Sequence, residues 1–155
     1  MEDVGMNDVL LSNLLYEKRK IIIAPNAMGI LLSGLKEFPI VPRGRFVFSA
    51  VYGSNFIEKP PFGFGRIFAQ IISHGYRLCT ARSFLSFLME SPKPLGDDPI
   101  VIGMAPVEVS YRGNLRKVLL FIEKEGSGDY YLEVIPTEYI SEDTLLLVEY
   151  PDPHL

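Results

Sequence analysis

The sequence predicts an α+β fold: one domain over residues 1–155, with a mostly antiparallel sheet built from C-terminal hairpins and helices packed on one face. Helical periodicity concentrates before residue 90, and short β-rich runs separated by turn residues follow it. A chain of 155 residues with 48% hydrophobic content is also long enough to bury roughly 68–70% of its unfolded surface without staples.

Met6, Val9, Leu10, Leu11, Leu14 and Leu15 fall at helical spacing over residues 4–17, and Lys18, Arg19 and Lys20 at the end of that run suit the helix dipole. Lys20 to Ala24 reads as a short buried strand stopped by Pro25. Asn26 then caps a helix over 27–37, with Met28, Leu31, Leu32 and Leu35 on one side. Gly29 and Gly34 weaken that helix by about 1 kcal/mol each relative to alanine.

The run Phe46-Val47-Phe48-Ser49-Ala50-Val51-Tyr52 is aromatic or β-branched on both faces and reads as a central strand covered on each side. Pro60 and Pro61 exclude ladder pairing in the loop that follows. A helix then starts near Gly65, with Ile67, Phe68, Ile71 and Ile72 as its stripe and His74-Gly75 as its stop. Thr80 caps the next helix, residues 81–90, which turns Phe84, Leu85, Leu88 and Met89 inward.

Beyond residue 99 the chain reads as strands. Ile100 to Met104 is a buried strand, 107–111 alternates, Arg112-Gly113-Asn114 turns, and 118–124 and 130–135 form a hairpin about the 125–129 turn. Residues 144–150 make a final strand, an exposed edge on which another chain's edge would pair. The early strands are expected to complete the same sheet.

Cys79 is the single cysteine, which excludes an intrachain disulfide and fits a reducing, cytoplasmic setting with the thiol as a small buried apolar group. The first residues lack the basic and apolar regions of a signal peptide, and no apolar run approaches the ~20 residues that span a bilayer. The expectation is a soluble protein without membrane attachment.

Net charge is −4 but unevenly spread: residues 18–82 hold ten bases against two acids, a net of +8, while residues 106–155 hold four bases against ten acids. Within the basic block, Arg43, Arg45, Lys59, Arg66, Arg77 and Arg82 flank Phe62 and Phe64. Cations neutralise phosphates and aromatic faces stack on unpaired bases. These eight residues are therefore the candidate binding site for an anionic partner, with RNA or single-stranded DNA ahead of an acidic protein surface. The competing reading pairs these bases with the acidic third and plugs both phenylalanines into the core.

Phe62-Gly63-Phe64 resembles the aromatic–glycine–aromatic centre of the RNA-recognition motif over three residues. Prolines stand in place of its leading Lys/Arg-Gly, Gly65 in place of an apolar residue and Ile67 where an aromatic belongs, so the family is not carried over. The glycine spacing fits neither a Walker loop nor a dinucleotide fingerprint.

Two histidines and one cysteine, at 74, 154 and 79, give neither zinc spacing nor a nucleophile with a base, and no Gly-x-Ser-x-Gly elbow occurs. No catalytic residue, metal or cofactor is assigned, and the reading leans away from an enzyme. The one enzyme alternative is a transferase acting on a nicotinamide dinucleotide, with Arg66 holding the pyrophosphate and Glu133 or Glu138 stabilising a sugar cation. A third class is a protein-interaction or self-assembly module using Tyr111, Tyr130, Tyr131, Tyr139 and Tyr150 of the acidic sheet, with homo-oligomers favoured by the charge asymmetry.

Overall fold

A computed structural model of the chain describes residues 4–35, 46–53, 64–90 and 95–151. In order, the elements are α1 (Val4–Arg19), β1 (Ile21–Ile23), α2 (Pro25–Leu35), β2 (Phe46–Tyr52), α3 (Phe64–Ser73), α4 (Ala81–Glu90), β3 (Ile100–Ile102), β4 (Val107–Tyr111), β5 (Asn114–Lys124), β6 (Tyr130–Pro136), a 3-10 turn (Thr137–Tyr139) and β7 (Leu145–Pro151). The fold is α+β, as the sequence predicts. Its sheet is mixed: order β1-β6-β5-β3-β7-β2 with β4 also on β5, antiparallel except at β1/β6 and β3/β7.

Local chemistry explains the joints. α1 stops at Lys20, which takes the left-handed conformation at φ 57 and returns its N–H to the Tyr16 carbonyl at 2.9 Å, the capping geometry usually given to glycine. Tyr130 N–H to Lys20 O and Ala24 N–H to Leu132 O, at 2.7 and 2.9 Å, then pin both ends of β1 to β6. Pro25 opens α2 two residues before the expected start, because a first-turn position needs no N–H donor. The β4–β5 hairpin turns on Arg112 and Gly113, at φ 54 and 86, the pair of positive angles that a two-residue type I′ turn requires.

β5 is the spine. It pairs with β6 over Val118–Lys124, with β4 over Asn114–Val118 and with β3 at Phe121 and Ile122. Side chains alternate across it. Val118, Leu120 and Ile122 share one face with Leu132 and Val134 and are all buried, whereas Phe121, Glu123, Tyr131 and Glu133 on the other face are half-buried. α1, α2 and α4 contact one another, and α2 lies against β6. At β3 and β7 both faces are buried, with Ile102 and Leu147 on one and Val101, Leu146 and Val148 on the other.

The structure changes further expectations. β1 is not a fully buried strand, since Ile22 is 45% exposed. β2 stands at the end of the sheet order instead of its centre and is not covered on each side: Phe48 meets Phe87 at 4.9 Å between ring centroids, but Ala50 and Tyr52 are exposed. β7 is interior, between β3 and β2, and not the exposed edge expected of a final strand, with Leu146 and Val148 fully buried. Val9 and Leu10 of α1 are 60% and 58% exposed, the buried stripe being Leu11 and Leu15. Ile72 is likewise 59% exposed, so α3 buries only Ile67, Phe68 and Ile71.

Candidate functional site

Among the eight candidate binding residues, Arg43, Arg45, Lys59 and Phe62 lie outside the described residues. Phe64 opens α3, and Arg66 sits exposed in its first turn. Arg77 is exposed on the short pass that follows α3, and Arg82 is half-buried in the first turn of α4. Arg66 thus lies in α3, and Arg77 four residues beyond its end at Ser73, past the turn at Gly75.

Part of the basic block serves the fold. Arg19 Nε donates to the Leu88 carbonyl at 2.8 Å and its Nη2 to that of Phe87 at 3.4 Å, and Lys18 Nζ reaches Met89 O at 3.5 Å. These are the last carbonyls of α4, which have no intrahelical donor and carry the negative end of the helix dipole. Lys20 instead lies over the Tyr16 ring, 5.1 Å from its centroid. Arg77 acting on Glu149 is an instance of the expected pairing of the block's bases with the acidic third. Arg116–Glu138 at 3.5 Å and Lys124–Asp97 at 3.0 Å join residues outside the block.

Glu149 is the group that sequence reasoning passed over. It lies on β7, 3% exposed, and its backbone exchanges hydrogen bonds with Arg77: Arg77 N–H to Glu149 O at 2.7 Å and Glu149 N–H to Arg77 O at 2.9 Å. Its carboxylate Oε2 accepts the Ser83 hydroxyl and a backbone hydrogen bond from Thr80. Thr80 and Ser83 also cap α4 reciprocally, Ser83 N–H donating to Thr80 Oγ1 at 3.0 Å and Thr80 N–H to Ser83 Oγ at 2.9 Å, the arrangement of a capping box. Burial pushes the Glu149 carboxyl above the ordinary glutamate value, opposed by the Ser83 bond, the Arg77 charge and Thr80.

Beside it Cys79 is 2% exposed, its Sγ 3.5 Å from the Leu147 carbonyl. Burial, then the Glu149 charge, pushes its thiol far up, so it is the inert buried group the sequence suggests. A lone acid within the apolar run Leu145-Leu146-Leu147-Val148-Glu149, together with Thr80 three residues before Ser83, is the signal that points to this cluster.

The remaining candidates separate. His74 ends α3 with Nδ1 2.8 Å from the Gln70 carbonyl. Glu133 accepts the Val134 N–H at 3.0 Å, and Glu138 pairs with Arg116. Among the described residues no three His, Cys, Asp or Glu side chains are placed to hold a metal ion. Tyr139 and Tyr150 are 61% and 44% exposed, while Tyr111, Tyr130 and Tyr131 are half-buried, Tyr130 donating its hydroxyl to Leu95 O at 2.7 Å. Tyr150 meets Tyr76 with ring centroids 5.2 Å apart. A mostly apolar cavity of about 20 Å³ between Phe84, Phe87, Ile100, Ile102, Ile122 and Leu147, with Asp98 also in its lining, has room for about one water. Among the described residues no helix is long and apolar enough to cross a membrane. No family model matches the chain, and neither a curated protein nor a solved structure does.

Proposed function

We propose that this chain is a non-enzymatic binding module for an anionic partner, RNA or single-stranded DNA, which it contacts through its central basic segment. The observation that carries the reading is the exposure of Arg66, in the first turn of α3, and of Arg77, on the pass that follows it, while Lys18 and Arg19 of the same block are turned onto α4. Cations at the surface neutralise phosphates and release counterions, so affinity falls as salt rises. The aromatic part of the site is Phe62 and Phe64, adjoining Arg66 in sequence. A cytoplasmic setting belongs to the same proposal.

The test is binding of a fluorescent single-stranded oligonucleotide at two salt concentrations. Binding at low salt that weakens at high salt supports the reading. No binding at low salt, or binding indifferent to salt, overturns it. Replacing Arg66 and Lys59 together by glutamine is expected to weaken binding with the thermal transition unchanged.

A second reading, a protein-interaction or self-assembly surface on the acidic sheet, rests on exposed Tyr139 and Tyr150, since tyrosine joins a large buried area to a polar tip. It predicts a concentration-dependent oligomer, or a retained acidic or basic partner, that Tyr139→Ser and Tyr150→Ser weaken. A monomer at all concentrations with no retained partner counts against it.

A further inference from the structure

The β4–β5 hairpin runs past the end of β6. β6 pairs with β5 only from Val118 onward, while β4 pairs with it from Val118 back to Asn114. The 3-10 turn that follows β6 contacts β5, with Arg116 paired to Glu138 at 3.5 Å. β4 has no comparable cover. Among the described residues it pairs with β5 alone, and none of its residues makes a backbone hydrogen bond outside the strand ladders. The Tyr111 carbonyl and the Asn114 N–H close the two-residue turn, so Tyr111, Val109 and Val107 direct their backbone groups at β5. The N–H and C=O groups of Glu108 and Ser110 therefore point the other way, along an open edge, and both residues are exposed.

That edge is bounded and self-complementary. Pro106 precedes it and has no N–H, and Arg112, at φ 54, turns out of it. Within those bounds an antiparallel second copy, related by a two-fold axis at Val109, uses every open group: Glu108 of each copy exchanges both backbone hydrogen bonds with Ser110 of the other. Moving the axis to Ser110 sets Glu108 against the turn residue Arg112, and moving it to Glu108 sets Ser110 against Pro106, so either shift loses bonds. The side chains fit the same register. On one face Val107 meets Tyr111 of the second copy and Val109 meets its own equivalent, pairs of the kind that stabilise antiparallel sheets; all three are only half-buried in the single chain. On the other face Glu108 meets the neutral Ser110. The two Glu108 lie on one diagonal across the axis, and each has two cations around it: Lys117, its register partner in β5, and Arg112 of the second copy on the other diagonal. The two Arg116 stand three strand spacings apart, about 14 Å, and each is paired with Glu138.

We propose that β4 pairs antiparallel with β4 of a second copy of this chain about a two-fold axis at Val109, joining the two sheets edge to edge in a symmetric dimer. The occupant is a second copy because the bounded edge matches itself in hydrogen bonds, apolar pairs and charge, and an isologous contact of this kind closes at two subunits. The contact is short, so the dimer is a weak and reversible one that forms as concentration rises. It uses neither the basic central segment nor Tyr139 and Tyr150, and it holds whether or not the chain binds nucleic acid.

The experiment is sedimentation velocity of the full chain, without nucleic acid, over a range of concentrations. A reversible monomer–dimer equilibrium is the expected result. Ser110→Glu sets an acid opposite each Glu108 and is expected to raise the dimer Kd by about 2- to 30-fold for the two like-charged pairs, whereas Ser110→Lys is expected to lower it by a similar factor. Ser110 is exposed, so the urea midpoint is expected to stay unchanged in both variants. Oxidative cross-linking reads the register against a silent background, because Cys79 is 2% exposed. Val109→Cys places its two thiols on a directly opposed, non-hydrogen-bonded pair, with Cα atoms about 4.5 Å apart and within disulfide reach. Ser110→Cys is the control: its side chain is the more exposed, but its equivalent sits about 7–8 Å away on a diagonal. Val109→Cys is expected to cross-link faster. A monomer at every concentration, a Kd that the two Ser110 charge variants leave unmoved or shift in the same direction, or cross-linking at least as fast in Ser110→Cys overturns the proposal.

Discussion

Replacing Gly103 by alanine tests whether the junction of β3, β7 and the Tyr76–Thr80 segment is as tight as its geometry requires. Gly103 N–H donates to Leu147 O at 2.8 Å while Gly103 O accepts the Cys79 N–H at 2.7 Å. A Cβ at this position would lie 2.8 Å from Leu147 O and 3.0 Å from Val148 Cγ1. The first contact is with backbone and cannot be relieved by a rotamer change, so β3 must shift from β7. Two hydrogen bonds at about 1 kcal/mol each, plus about 1–3 kcal/mol of crowding, less about 0.4–1 kcal/mol for the stiffer unfolded chain, leave a loss of about 2–5 kcal/mol. For a domain of this size that lowers Tm by about 4–20 °C. Gly29→Ala is the internal control. A Cβ there meets nothing within 4 Å, inside α2, and the variant is expected to gain about 1 kcal/mol. Urea unfolding of both variants is the assay. A Gly103→Ala protein within 0.5 kcal/mol of the parent would refute the account of the junction.

Two further outcomes follow from the same geometry. Arg19→Ala removes the donors on Leu88 O and Phe87 O and is expected to cost about 1–2 kcal/mol in urea unfolding, with a loss below 0.3 kcal/mol contradicting the cap. Glu149 has a folded-state value above its unfolded one because burial disfavours the charge. Its contribution is therefore fully present below the ordinary glutamate range and is lost as pH rises through the folded value. Glu149→Gln is accordingly expected to be more stable than the parent at pH 8, with the difference vanishing or reversing near pH 4. A parent more stable than the variant at pH 8 would show that Ser83, Thr80 and Arg77 outweigh the burial.

Local signals in this sequence report what a residue does to its own neighbourhood, and these were legible. The capped start of α4 at Thr80, the hairpin turn at Arg112-Gly113, the buried stripe of α4 and, apart from exposed Ile72, that of α3 follow from helix periodicity, capping and turn chemistry. What a strand's composition does not carry is its place in the sheet. Phe46 to Tyr52 and Leu145 to Tyr150 are equally apolar, yet the first is terminal and the second interior. Helix packing covers a strand's faces whether or not both its edges are paired. Nor did the sequence disclose the pairing of Tyr76 to Thr80, because the run is too short for periodicity and its bridge partners, Glu149 for Arg77 and Met104 for Cys79, lie 72 and 25 positions away. Glu149 is visible only as an anomaly, a charge in an apolar run whose explanation lies in Ser83, on a different element.

The same limit governs the charge block, where a count of cations overstates the field available to a ligand. Of the ten bases in residues 18–82, Lys18 and Arg19 hold carbonyls of α4. The salt dependence of oligonucleotide binding measures what remains, because its log–log slope for a single strand is about −0.7 per phosphate neutralised. If Arg66 and Arg77 alone contact phosphates the slope is about −1.4. If Arg43, Arg45, Lys59 and Arg82 join them it is about −4. Removing one contacting arginine shallows the slope by about 0.7, whereas removing Arg19, whose guanidinium is turned inward, is expected to leave it unchanged in the folded protein. A slope that responds to Arg19→Ala and not to Arg66→Gln would place the ligand on a different surface and refute the assignment to α3.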